Sequence, residues 1–376
     1  MKITNLETFH VKPRWMFLKI STDEGIVGWG EPVLEGRART VEMAINELRP
    51  VLIGADPMRI EHLWQTMYCT TFYRGGPILT SCISGIEQAL WDIKGKKLGA
   101  PVYELLGGRC RDKIRMYSHS GGDTPEEAAV NAKKRVEQGF DAIKISPDAP
   151  VEHIDHLGYV DALAEKFCAI REAVGKNVDI AIDFHGRIMA GMASRLIDAI
   201  APYYPMFVEE PVLPENVEVM ASIAAKTSVP IATGERAIDL REFEVLMARH
   251  ACQYVRPDVC AVGGITTSKK ICALAEAHDV LVIPHNPLGP VSTAACLQIC
   301  ASIPNLGIQE LPGFCLNGAE DKMVKEPLRF ENGCMLIPEA PGIGIELADD
   351  AEELYPANER GSNAARRAFD GAVKDW

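Results

Sequence analysis

The stretch 179–210, DIAIDFHGRIMAGMASRLIDAIAPYYPMFVEE, decides the fold. An apolar, β-branched run ends in Asp183 and His185, a helical segment follows, and a second apolar run ends in Glu209. This βα unit recurs on both sides. Strands are expected near 114–118, 142–146, 179–185, 206–210, 230–235, 254–259, 281–285 and 306–310, with seven helical segments between them, among them 125–138, 159–174 and 266–278. Alternating βα units mean a parallel sheet with crossover helices, and eight such strands predict closure into a barrel. An open doubly wound sheet is the alternative, but no G-x-G-x-x-G follows any of these strands. The fold class is therefore α/β, a modified TIM barrel of the (β/α)7β kind, over residues 113–320.

Outward from the barrel the pattern changes. Residues 1–112 read as strands (2–12, 15–21, 26–30) and then helices (39–53, 59–68, 78–98), an α+β capping domain. After 312 the chain is loop-rich and then strand-like (CMLIPEAPGIGIEL), so 321–376 is expected to return to the cap and complete it.

The 376 residues carry a net charge of −13, with 47% hydrophobic and 24% charged residues, which is ordinary soluble-globular composition. An acidic chain without a Lys/Arg cluster offers nucleic acid no footprint. No apolar run reaches the ~20 residues of a membrane span, and the first residues lack a signal-peptide core. The 11 cysteines form no C-x-x-C pair, and those in helical surroundings (Cys168, Cys272, Cys296, Cys300) read as small buried hydrophobes. A reduced, cytoplasmic enzyme is the expectation.

The strand ends hold the chemistry. They carry Lys144 and Ser146, Asp183 and His185, Glu209, Glu235, Asp258, His285 and Glu310. Ionisable residues closing otherwise apolar strands are costly to bury without partners, and this is the end where barrel active sites lie. Any one acid could answer a salt bridge, for instance with Arg236 or Arg256. Asp183, Glu209 and Glu235 on three neighbouring strands instead suit a hard divalent ion, Mg2+ above Zn2+. His185, two residues beyond Asp183, is expected on the same strand face, and His285 beside Asp258 forms an oriented imidazole. The third and seventh strands oppose each other, so the two histidines should face one substrate from opposite sides. The other seven histidines are read as helix, loop or cap residues without chemistry. A metal-bound carboxylate has an acidified α-proton, which one histidine removes. The other then returns a proton to the opposite face or protonates a leaving hydroxyl.

With EGRART (35–40), FYRGGPIL (72–79), ALWDIKGK (89–96), DFHGR (183–187), EEPV (209–212), GER (234–236), PHNPLGP (284–290) and Gln309-Glu310, the chain resembles the mandelate racemase-like branch of the enolase superfamily over nearly its full length. Within that branch it is most similar to the D-galactonate dehydratases.

The resemblance implies one Mg2+ on Asp183, Glu209 and Glu235, Lys144 near the substrate carboxylate, and Glu310 hydrogen-bonding the substrate. It implies His285, paired with Asp258, as the base at C2 and His185 as the acid at the 3-hydroxyl. Arg14, Trp15, Tyr73 and Arg74 become candidates for reading distal hydroxyls. The implied activity is dehydration of an aldonate, D-galactonate first, to a 2-keto-3-deoxy acid by a homo-oligomeric carbohydrate-catabolic lyase. Another aldonate (gluconate or a pentonate), C2 racemisation or epimerisation, and a non-catalytic sugar-acid sensor are the alternatives. Related racemases carry Lys-x-Lys where this chain has Lys144-Ile145-Ser146, which disfavours Lys/His two-base racemisation; galactonate dehydratases carry Asn in place of Ser146.

Overall fold

Three antiparallel strands open the chain: β1 (Ile3–Val11), β2 (Trp15–Thr22) and β3 (Val27–Gly30). They belong to a computed structural model describing residues 1–147, 151–312, 322–357 and 366–375. Helices α1 (Ala38–Leu52), α2 (Ile60–Cys69) and α3 (Pro77–Leu98) pack behind them. Ile86, Leu90 and Ile93 bury one face of α3 against this sheet. The approach of α3 to β3 is so close that a Cβ on Gly28 or Gly30 would strike the carbonyls of Ala89 and Gly85. Glycine is thus required at both positions for steric reasons. Gly99, in the left-handed region (φ 67°), caps the C-terminus of α3.

After the short α4 (Val102–Leu105), strand and helix alternate without a break. The strands are β4 (Lys113–His119), β5 (Ala142–Ile145), β6 (Asp179–Asp183), β7 (Val208–Glu209), β8 (Ile231–Thr233), β9 (Tyr254–Val255), β10 (Leu281–Val282) and β11 (Gln309–Leu311). Between them lie α5 (Pro125–Glu137), α6 (Leu157–Val174), α7 (Ala190–Ile200), α8 (Val217–Ala224), α9 (Leu240–Ala248), α10 (Gly264–Ala277) and α11 (Pro290–Ser302). Each strand from β4 to β10 pairs in parallel with its sequence neighbour, and β11 pairs in parallel with the far side of β4. A parallel bridge between Val282 and Leu306 joins the remaining ends, with Gly307 N–H donating to the Val282 carbonyl. The expected (β/α)7β order is present. Several strands are shorter than the sequence suggests, because their C-terminal residues leave the ladder to enter the site.

Tyr117, Ala142, Ala181, Phe207, Ala232, Ile283 and Ile308 fill the barrel interior. Small alanines and large aromatic or branched side chains fill it together. Outside it, one continuous apolar core joins barrel helices to the cap. Buried cap carboxylates fix the docking. Glu31 accepts from Gly289 N–H (2.7 Å) and Ser292 N–H (2.8 Å), and Glu87 accepts from Ile265 N–H (2.7 Å). These amides open α11 and α10, so the positive helix ends face the acids and the cap sits over the C-terminal ends of the strands.

The late segment divides its contacts. β12 (Phe330–Glu331) and β13 (Cys334–Leu336) form a hairpin, and β13 runs antiparallel to β4, extending the barrel side. Farther on, Ile343 N–H donates to Asp92, Trp29 Nε1–H donates to Glu346, and Pro356 bridges Val11, all in the cap. A short α12 (Ala351–Leu354) precedes that bridge. The expected junction at 320–321 lies outside the described residues. Among the described residues no helix is long and apolar enough to cross a membrane. Cys272, Cys296 and Cys300 are buried as expected, whereas Cys168 is only half-buried.

Candidate active site

A cavity of about 520 Å³ opens where the strand ends meet the cap. Asp183 ends β6, Glu209 ends β7 and Glu235 lies just past β8, each delivered by its own strand. One oxygen from each lies within 4.8 Å of the others, the spacing of a shared cation site. Burial and the neighbouring charges of Asp183, Glu209 and Glu210 push the Glu235 carboxyl well above its usual range. Three converging buried carboxylates are a hard-oxygen donor set, fitted to a divalent ion that keeps open positions.

Counter-charge comes from two buried cations. Lys144, on β5, places Nζ 2.9 Å from Glu209 Oε2, 2.9 Å from Glu310 Oε1 and 3.2 Å from Asp183 Oδ2. Arg256 places Nε 2.8 Å from Glu209 Oε1 and Nη2 2.7 Å from Glu310 Oε2, and Nη1 donates to the Tyr117 hydroxyl at 2.7 Å. The salt-bridge reading is therefore correct for Glu209 with Arg256, while Arg236 pairs outside the cluster with Glu215 (3.7 Å). Burial opposes its charge, but Lys144 and Arg256 hold Glu310 well below the usual carboxylate range. Lys144 and Arg256 are the buried cations among these carboxylates, and Arg187 lies within electrostatic reach of Asp183 and Glu235.

The two histidines reach the cavity by different routes. His285 bridges in parallel to Asp258, and its Nδ1 lies 2.8 Å from Asp258 Oδ2 while Nε2 lies 3.5 Å from Glu235 Oε2. Burial disfavours its charge, yet Glu235 and Asp258 raise its pKa to about 9. His185 is not on the strand. β6 ends at Asp183, and His185 takes a left-handed backbone (φ 53°), its N–H donating to Asp183 Oδ1 at 2.8 Å. That turn, rather than strand alternation, aims the ring inward, with Nε2 3.1 Å from Asp183 Oδ2. Burial lowers its pKa. Strands β7, β8 and β9 separate the two, and both rings line the cavity.

Two residues at or beside the site escaped sequence reasoning. His119 closes β4, one residue beyond the expected strand end, lines the cavity and places Nε2 2.7 Å from Glu310 Oε1. The reading that placed it with the other histidines on helix, loop or cap is corrected, since His119 ends a barrel strand. Its signal was the strand-end register itself. Glu210, buried and in the left-handed region (φ 40°), accepts from Thr233 Oγ1 (2.7 Å) and Gly234 N–H (2.8 Å); burial pushes its pKa to about 7. It braces the loop that presents Glu235.

The cap candidates divide. Arg14 lines the cavity, paired with Glu35 at 2.7 Å and donating to the Pro287 carbonyl at 3.3 Å. Trp15 is fully buried beside Phe17 in the cap core. Tyr73 (83% exposed) and Arg74 lie on the surface between α2 and α3, and Ser146 is half-buried just past β5; none of the three lines the cavity.

The sequence matches the mandelate racemase/muconate lactonizing enzyme N-terminal domain over residues 4–107 and the enolase C-terminal domain-like family over 127–351. It is 48% identical to a D-galactonate dehydratase of Variovorax paradoxus and 48% identical to one of Pectobacterium atrosepticum, covering 100% of both chains in each case. Among solved structures, a mandelate racemase/muconate lactonizing enzyme from Jannaschia sp. CCS1 superposes with a TM-score of 0.91 at 33% identity, covering 97% of this chain and 100% of that one. An enolase from Agrobacterium radiobacter, solved with sodium and L-malate bound, gives 0.92 at 30% identity over 100% of both. With both family domains present in order and relatives matching end to end, the chain belongs to the mandelate racemase/muconate lactonizing enzyme family of the enolase superfamily.

Proposed function

We propose that this protein is a Mg2+-dependent acid-sugar dehydratase, a hydro-lyase that takes D-galactonate to its 2-keto-3-deoxy acid. The observation that carries the reading is the pair of histidines, one backed by Asp258, just past the ends of opposite strands and around the carboxylate cluster. End-to-end similarity to D-galactonate dehydratases supports the substrate.

Asp183, Glu209 and Glu235 would hold the ion, which polarises the substrate carboxylate and favours loss of the C2 proton. Lys144 and Glu310 orient the substrate around that carboxylate. His285 Nε2 takes the C2 proton while Asp258 holds Nδ1 and stabilises the imidazolium. The electron pair released at C2 forms the C2–C3 double bond as the C3–O bond breaks, and His185 Nε2 gives the departing hydroxyl its proton. The resulting enol takes a proton at C3 and becomes the 2-keto acid.

The same reading places the protein in the cytoplasm as a homo-oligomer. Its buried free thiols suit a reducing compartment, and the exposed rings of Phe72 and Tyr73 offer an apolar contact. The test is a panel of C4–C6 aldonates and aldarates with Mg2+, each with an EDTA control, scored for 2-keto acid. EDTA-sensitive product from D-galactonate is expected. Product only from another acid would move the substrate, and no product from protein shown to bind Mg2+ would overturn the dehydratase reading.

A further inference from the structure

Residues 366–375 make a hairpin of their own. Arg367 and Val373 form an antiparallel bridge, Lys374 N–H donates to the Arg366 carbonyl at 2.9 Å, and Gly371 turns the chain at φ 88°. Its anchor is Lys374, whose side chain is only 6% exposed. The ammonium lies 2.8 Å from Glu152 Oε2 and donates to the Val151 carbonyl at 2.8 Å. Both partners belong to the segment leaving β5, the strand that carries Lys144. The next residue, Asp375, lines the cavity.

Burial orders the cavity wall. Asp183 and Glu310 are buried at the strand ends, whereas Glu35, Arg236 and Asp375 are exposed, so these three form its outer end. The guanidiniums there are engaged, Arg14 with Glu35 at 2.7 Å and Arg236 with Glu215 at 3.7 Å. Arg187 lies within electrostatic reach of Asp375. A substrate whose carboxylate end lies at the buried cluster therefore presents its far end to Asp375.

We propose that Asp375 is a specificity-determining residue that accepts a hydrogen bond from the terminal hydroxyl of an acid sugar and so selects monoacids over diacids. The inference rests on the dehydratase reading for the direction in which substrate lies. A carboxylate accepts and cannot donate, so it complements a hydroxyl. A second substrate carboxylate offers it no proton and adds a like charge. The partly buried Lys374–Glu152 pair holds the hairpin in place, so that Asp375 meets the substrate without first being ordered.

The experiment compares D-galactonate with galactarate, which share their hydroxyl configuration and differ at C6. In Asp375→Asn, whose amide can donate, the kcat/KM ratio of galactonate to galactarate should fall at least tenfold, mostly through KM. Lys374→Met, which frees the hairpin, should move the ratio in the same direction. An unchanged ratio in Asp375→Asn overturns the assignment, and an unchanged ratio in Lys374→Met alone overturns the anchor. Should the wild type convert neither acid, the dehydratase reading fails separately. Calorimetric titration of both acids in Mg2+ then decides: a wild-type preference for galactonate that Asp375→Asn abolishes supports the selection, and equal affinities in the wild type overturn it.

Discussion

His285 and Asp258, 27 residues apart in sequence, meet at 2.8 Å between Nδ1 and Oδ2 because parallel register places the ends of adjacent barrel strands side by side. The opposite ring nitrogen is left facing Glu235 and the cavity.

Asp258→Asn should lower kcat/KM by about 10²-fold or more, since the imidazolium loses the anion that stabilises it. One of the three carboxylates raising the His285 pKa, with Glu235 and Glu310, is also removed. The acidic limb of the pH–rate profile should therefore move to lower pH. A limb that stays in place, in protein with wild-type Tm, would argue against the pairing as the source of basicity.

Single substitutions should separate the two histidines. His285→Asn should abolish C2 deuterium exchange together with dehydration, a loss of about 10²–10⁴-fold. His185→Asn should block water loss and leave exchange measurable. Equal loss of exchange in both variants would show that the roles are not divided.

Metal binding should release protons. In the bare site His285 is raised to about 9 and so holds a proton at neutral pH, and burial with neighbouring carboxylates pushes Glu235 above its usual range. Ligation needs the Glu235 carboxylate, and its neutralisation removes the largest carboxylate influence raising His285. Mg2+ affinity should rise between pH 7 and 9, by up to about tenfold per unit for each proton released. Calorimetry in two buffers of different ionisation enthalpy counts them. A pH-independent affinity would remove Glu235 from the ligand set.

Arg256→Met should destabilise the fold by about 3–5 kcal/mol, because it leaves Glu209 and Glu310 buried against a single remaining cation. Thermal melts at pH 7 measure the loss. Recovery in the double variant Arg256→Met with Glu310→Gln would identify uncompensated charge as the cause.

Most of the architecture was legible along the chain. The βα alternation, the N-terminal strands and helices, and Asp183, Glu209, Glu235, Asp258, His285 and Glu310 at successive strand ends fall where periodicity puts them. What failed did so for local reasons. His119 lay one residue past an assumed strand end. His185 was placed on a strand that in fact stops at Asp183. Trp15 and Tyr73, adjacent to expected cap loops, proved to be a core residue and a surface residue. Exposure depends on packing partners that a hydropathy pattern does not name.

The order of elements and the identity of the clustered acids were determined by sequence alone, because a parallel barrel with crossovers of regular length brings every strand end to one rim. The tertiary structure decided the surroundings that push His185 down and His285 up, the ion pairs that share Glu209 and Glu310 between Lys144 and Arg256, and the placement of Asp375 at the cavity mouth. These depend on distances through space between residues far apart in the chain. Electrostatic energy follows those distances and the burial around them, and neither is written in sequence spacing.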